Sequence, residues 1–385
     1  MPAAAPRLCS KLPDVGVTIF TVMSKLASEV GAVNLSQGFP DFDCDPELVE
    51  TVARHMRAGR NQYAPMQGAL ELREALSRKY QRTYQVEYDP VTDITVTSGG
   101  TEALFDAITA TVRPGDEVIV FEPCYDSYVP SIRLNGGVPV FVGMRYPDYA
   151  IDWREVRQAL GPRTRLILLN SPHNPSGRVL AAEDIAELSA LVEGTDLLVL
   201  SDEVYEHVIF DGLRHESMAR YPELARRSFI VGSFGKTYHT TGWKIGYCLA
   251  PAPLTTELQR VHQFVTFATN TPVQLAFAEF LERRPSYLDL PALYQAKRDR
   301  FLSLMAATRF RPVPCRGSYF QLMDYSAITG EGDREFAVRL AKEFGVAAIP
   351  TSAFLYEQPA PPVLRFCFAK KDETLRLAAE RLMSV

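Results

Sequence analysis

Lys236 stands in Ser233-Phe-Gly-Lys236-Thr-Tyr-His-Thr-Thr-Gly242-Trp-Lys244-Ile-Gly246, between two apolar runs and eight positions before a second cation. A lysine held at the end of a strand and shielded from water can act as a nucleophile and carry protons. A solvated surface lysine does neither, and the segment alone does not choose between them. The Gly-Lys-Thr triplet is not a nucleotide loop. Such a loop needs a glycine five residues before Gly235, where Ile230 stands, and a helix where Gly242-Trp-Lys-Ile-Gly246 follows. No Gly-x-Gly-x-x-Gly occurs either, so the dinucleotide fingerprint is missing.

Three further segments sit at comparable places. Asn170-Ser-Pro-His-Asn174-Pro-Ser-Gly177 ends one apolar run and reads on its own as a proline-rich turn. Ser201-Asp202-Glu-Val-Tyr205 ends the next, where Ser201 or Asp202 could equally be a helix N-cap. Ser98-Gly-Gly-Thr101-Glu102 closes a run and opens a helical pattern, an arrangement that offers backbone N–H groups and a positive dipole end to a phosphate. Together the four segments supply a phosphate cradle, an enclosed acid, hydrogen-bond donors and an amine.

The elements that must hold them in place alternate. Between Asp93 and Leu249, β-branched runs at 94–98, 117–121, 138–142, 165–169, 197–200, 228–232 and 245–250 are separated by helical patterns such as 101–112 and 182–194. This predicts an α/β fold with a mostly parallel sheet, helices on both faces and ligands at the carboxyl ends of the strands. The last third changes character: helical patterns over 271–284 and 287–310 precede short strands at 318–323, 346–350 and 363–368, which suits a smaller α+β domain. Residues 1–43 are too short and too broken by Pro and Gly for a core of their own. We therefore expect a large domain over 44–280 and a small one formed by 1–43 with 281–385.

Composition narrows the partners. The 385 residues carry 41 basic and 46 acidic side chains, a formal net charge of -5, with 46% hydrophobic residues. No Lys/Arg run offers a footprint for nucleic acid, and no apolar stretch approaches the roughly 20 residues that cross a bilayer. Six scattered cysteines, with no Cys-x-x-Cys pair, and an N-terminus without an apolar leader point to a reduced, cytoplasmic setting. His173, His239 and Glu206-His207 form no metal-ligand spacing, so no metal is expected and they read as supporting or surface residues.

An amine paired with an acid for a pyridinium nitrogen is the set that pyridoxal 5'-phosphate requires. On these segments, with LSQGFPDF (35–42), NQYAPMQG (61–68) and VLRFCFA (363–369), the chain resembles the fold-type I, class I/II pyridoxal-phosphate-dependent aminotransferases. Within them it is most similar to the branch holding bacterial methionine aminotransferases and kynurenine/glutamine aminotransferases. The resemblance covers nearly the whole chain.

The resemblance implies a role for each residue. Lys236 would anchor the cofactor covalently and then move the substrate's Cα proton. Asp202 would keep the pyridine nitrogen protonated, and Asn174 and Tyr205 would donate to the phenolic oxygen. Tyr125 would stack on the ring, although a core tyrosine beside a helix start is an alternative. The phosphate would be met by Gly100, Thr101, Ser233 and Lys244, the last replacing an arginine found in many relatives and acting as a point charge. Tyr63 would reach the phosphate from the other subunit of a homodimer with active sites at the interface. Arg365 would clamp the substrate's α-carboxylate, its alternative being a surface strand arginine, with Gly38 and Asn174 assisting. Ile19, Phe20 and Tyr63 would wall the side-chain pocket.

The activity implied is ping-pong transamination, moving the amino group of L-methionine, and of aromatic amino acids, histidine or glutamine, to a 2-oxo acid. A kynurenine/glutamine-type specificity and a cysteine-conjugate C–S β-lyase would use the same constellation. A transcription regulator built on this fold would carry a DNA-binding domain ahead of it, and the aminotransferase-like sequence begins by about residue 15.

Overall fold

The structure, a computed structural model, describes residues 8–385. The reading of the extreme N-terminus as leader-free falls partly on residues 1–7, outside the described residues. None of the described helices is long and apolar enough to cross a membrane.

The strands in chain order are β1 (Val33–Asn34), β2 (Ile94–Thr97), β3 (Glu117–Glu122), β4 (Val138–Gly143), β5 (Thr164–Asn170), β6 (Leu198–Asp202) and β7 (Ser228–Ser233). They continue with β8 (Gly246–Leu249), β9 (Arg311–Pro312), β10 (Phe320–Asp324), β11 (Val346–Ala347), β12 (Ile349–Pro350) and β13 (Val363–Cys367). Seven form the central sheet in the order β2-β8-β7-β6-β5-β3-β4, each at one of the seven expected runs. All neighbours pair parallel except β8, which runs against both β2 and β7. The strands alternate between two cores, Val118 and Val120 of β3 facing one apolar cluster and Ile119 and Phe121 the other. Burial on both faces is why the central runs of β3, β5 and β6 are continuously apolar rather than alternating.

The chain ends meet. β1 pairs parallel with β11, and the Leu35 carbonyl accepts from the Cys367 N–H at 2.8 Å, so the first segment is stitched to the last. β12, β13, β10 and β9 form a separate antiparallel sheet.

Three expectations need adjusting. The helix anticipated over 287–310 is a 3-10 turn at Ser286–Asp289 followed by an α-helix at Leu290–Met305, with Pro291 in its first turn, where a missing N–H costs nothing. The run at 346–350 is two strands, because β11 joins β1 while β12 joins β13. An amphipathic helix at Ala252–Val265, not anticipated, follows β8 directly.

Candidate active site

The carboxyl ends of β2, β5, β6 and β7 and the amino end of the antiparallel β8 open on one side of the sheet. Register sets Asn170 beside Asp202, and Gly246 between Thr97 and Ser233. Gly246 admits the backbone that follows β2: a Cβ there would come within 2.6 Å of the Gly100 nitrogen. The Gly99–Thr111 helix therefore starts at the mouth of the sheet, and the side chain of Ser98, its N-cap, accepts from none of its first N–H groups. Gly99 has φ +77°, and a Cβ on it would lie 3.1 Å from Lys244 Nζ, so this cation sits against the helix start.

These ends surround a cleft of about 340 Å³. Gly38, Gly100, Thr101, Tyr125, Asn174, Asp202, Tyr205, Ser233, Lys236, Lys244, Arg365 and Phe20 all line it. Tyr63 does not. It is 83% exposed, with its ring edge-on to Phe267 at 5.4 Å. Ile19, the other proposed wall residue, packs against the apolar core instead of lining the cleft.

Lys236 follows β7 in a single helical turn, Phe234–Thr237, and its Nζ donates to the Gly38 carbonyl at 3.3 Å. Burial, reinforced by the neighbouring cations Arg365 and Lys244, brings its ammonium down to about 8, within reach of the neutral amine. Asp202, at the end of β6, moves the other way: burial pushes its carboxyl up to about 6, although Tyr128 Oη donates to Oδ2 at 2.6 Å and the Val204 N–H to Oδ1 at 3.3 Å. A buried carboxylate so placed favours a cationic partner in the cleft.

Arg365 comes from β13 and is 1% exposed. It donates from Nη1 to Asn174 Oδ1 and from Nη2 to the Ser36 carbonyl, both at 2.9 Å, while its Cζ lies 3.9 Å from the centroid of the Phe320 ring. Burial lowers the guanidinium to about 10. A guanidinium has five donors; two are engaged here and Nε has no partner among the described residues, so donors remain for an anion entering the cleft. This is not the surface strand arginine of the alternative reading.

Several participants escaped the sequence reading. Tyr128 fixes Asp202, and Tyr319 Oη donates to the Gly38 carbonyl at 2.6 Å, the same oxygen that Lys236 contacts. Phe39, Leu104, Gln37 and Phe320 also contribute to the wall. Their signal was weak, since each is an ordinary apolar or polar residue whose partner is distant in sequence. The reading of His173, Glu206 and His207 as supporting or surface residues is corrected in its second half: all three are buried, and His239 is half-buried. Glu206 forms an enclosed ion pair with Lys79 and accepts from Tyr84 and Tyr247.

Comparison with known proteins agrees with this geometry. Residues 30–382 match the family model for aminotransferase class I and II. The chain is 51% identical to methionine aminotransferase of Escherichia coli over 97% of each chain. It is 35% identical to kynurenine–oxoglutarate transaminase of Dictyostelium discoideum, over 96% of this chain and 94% of that one. A crystal structure of YbdL from Escherichia coli, whose reactivity identifies a methionine aminotransferase function, superposes with a TM-score of 0.97 at 50% identity, covering 99% of this chain and 100% of that one. The strand-end amine, the enclosed acid and the buried arginine thus stand in a chain that belongs to the class I and II aminotransferase family.

Proposed function

We propose that this aminotransferase uses pyridoxal 5'-phosphate to move the amino group of L-methionine, and of aromatic amino acids, to a 2-oxo acid by a ping-pong mechanism. The observation that carries the reading is the convergence of Lys236, Asp202 and Arg365 on one cleft. An amine, a carboxylate and a guanidinium suit a cofactor aldehyde, a ring cation and a carboxylate respectively.

When bound, pyridoxal phosphate supplies an electron sink for the pair released as the substrate's Cα–H bond breaks. Everything else falls to the chain. Lys236 anchors the cofactor and then carries the proton to and from the substrate Cα, a task for which an amine brought down to about 8 is suited. Asp202 holds the proton of the ring nitrogen. Asn174 has its oxygen turned to Arg365, which leaves its Nδ2 to donate to the phenolic oxygen together with Tyr205. Tyr125 covers a ring face. The N–H groups of Gly100 and Thr101, the Ser233 hydroxyl and the Lys244 ammonium receive the phosphate.

Arg365 grips the α-carboxylate beside Gly38. Among the described residues lining the cleft, the cations are Lys236, Lys244 and Arg365. Each already has a role, so none is left to pair with an acidic side chain. Phe20 and Phe39 instead offer an apolar wall, which suits a thioether or an aromatic ring. The likeness to methionine aminotransferase supports the same donor.

We further infer a large domain over 44–280 that supplies the cofactor residues, and a small domain from 1–43 and 281–385 that supplies Gly38 and Arg365. We also infer a homodimer in which the exposed Tyr63 of one copy reaches the phosphate in the other. Six free cysteines, four of them buried, are in keeping with work in the cytoplasm.

The test is to incubate the purified enzyme with L-methionine and a 2-oxo acid and quantify the 2-oxo acid of methionine. Turnover with methionine and with phenylalanine is expected. Turnover with aspartate or alanine but not methionine would overturn the assignment of the donor.

A further inference from the structure

Beneath the start of the Gly99–Thr111 helix lies a buried charged group that the proposed chemistry does not use. Glu102, in the first turn, accepts from the Ser98 backbone N–H through Oε2 and meets His262 Nδ1 through Oε1 at 2.9 Å. Asp106 places Oδ2 3.7 Å from the same nitrogen, and neither of its oxygens has a hydrogen-bond partner among the described residues. The other ring nitrogen, Nε2, lies 3.0 Å from the Met66 carbonyl. A carbonyl can only accept, so Nε2 carries a proton, and Nδ1 facing two carboxylates carries the other. His262 and Asp106 have no exposed surface. Burial works against the charged ring, but Asp106 and Glu102 together raise it to about 9.

The Met66 carbonyl belongs to a segment pinned at several points: Thr271 Oγ1 donates to the Gln62 carbonyl at 2.6 Å, and the Val96 N–H to the Gln67 carbonyl at 2.9 Å. Tyr63 projects from this segment. His262 thus joins two pieces of backbone that are far apart in sequence, the Ser98–Thr101 helix start and the segment bearing Tyr63.

We propose that His262 is a positioning residue that ties the backbone receiving the cofactor phosphate, through Glu102 and Ser98, to the segment that presents Tyr63 to the second copy. The inference rests on the phosphate and dimer assignments made above. It makes a single histidine support the phosphate of its own site and that of its partner. Neither linkage touches the residues around the cofactor ring, so loss of His262 should be felt through the phosphate alone.

The experiment releases bound cofactor from the wild type and from the His262→Gln and Glu102→Gln variants, then measures the dissociation constants of pyridoxal phosphate and of unphosphorylated pyridoxal, with the thermal midpoint of each protein. Loss of one charge-assisted buried bond should weaken pyridoxal phosphate roughly tenfold in His262→Gln while pyridoxal binds as before. Glu102→Gln keeps an acceptor for Ser98 but removes the anion, and it carries the test should His262→Gln fail to fold. An unchanged ratio of the two constants in the variants, or equal weakening of both ligands, would overturn the proposal and leave His262 a purely structural residue. A wild type that does not prefer the phosphorylated form would instead overturn the phosphate assignment on which the proposal rests.

Discussion

Arg365 donates through Nη1 to Asn174 Oδ1 at 2.9 Å, linking the last strand of the small sheet to the loop that follows β5. One contact therefore orients both the cation proposed for the substrate's carboxylate and the amide proposed to face the cofactor. It also leaves part of a planar fork free. An ammonium cannot reproduce that fork. Arg365→Lys should raise KM for methionine on the order of a hundredfold, with a smaller fall in kcat, in steady-state kinetics. An unchanged KM would remove Arg365 from the carboxylate site.

Lys236→Ala should retain some cofactor, held without a covalent link and lost on dialysis, and should lose at least about 10³-fold in turnover as its proton carrier disappears. Absorbance spectra before and after dialysis, with product assays, test this. A fully active variant would refute the role given to Lys236.

Asp202→Asn replaces the proposed partner of the ring nitrogen with a group that cannot favour a cation. It should bind cofactor yet cut kcat on the order of 10²-fold or more. Tyr128→Phe is the milder control, because it removes one donor from Asp202 and leaves the carboxylate in place. A several-fold loss is expected there, and stopped-flow traces of the first half-reaction would rank the two variants. The reverse ranking would contradict the assignment.

The pH dependence has a definite sign. The Lys236 amine is brought down to about 8 by burial and by the cations Arg365 and Lys244, so it is protonated below that pH and nucleophilic above it. Capture of pyridoxal phosphate by cofactor-free enzyme should accelerate as pH rises through about 8. In Lys244→Gln one repelling charge is gone, and the midpoint should move to higher pH. A midpoint that stays put would separate the two lysines electrostatically.

Much of the scaffold was readable because its physics is local. The seven runs of the central sheet are rich in β-branched and apolar residues and bounded by turn residues, so each was visible without its neighbours. The strand-end segments were readable for the same reason, and the structure brings Lys236, Asp202, Asn174 and Gly100 to one cleft. Partnerships across the chain were not. Tyr128 meets Asp202 from 74 positions away and His262 meets Glu102 from 160, separations at which residue type carries no signal. Tyr63 shows the limit from the other side, since its place outside the cleft of its own chain follows from packing against Phe267 and from no local pattern. The division of 346–350 into two strands likewise depends on β1, which lies more than three hundred residues earlier.

Lys236, as proposed here, holds pyridoxal phosphate in a cleft that accepts methionine. The most direct measurement is the visible absorbance spectrum of the purified protein, recorded alone, after L-methionine, and again after a 2-oxo acid. A yellow band should bleach with methionine and return with the oxo acid. A band indifferent to methionine would contradict the donor assignment, and absence of any band after incubation with pyridoxal phosphate would contradict the reading of Lys236 itself.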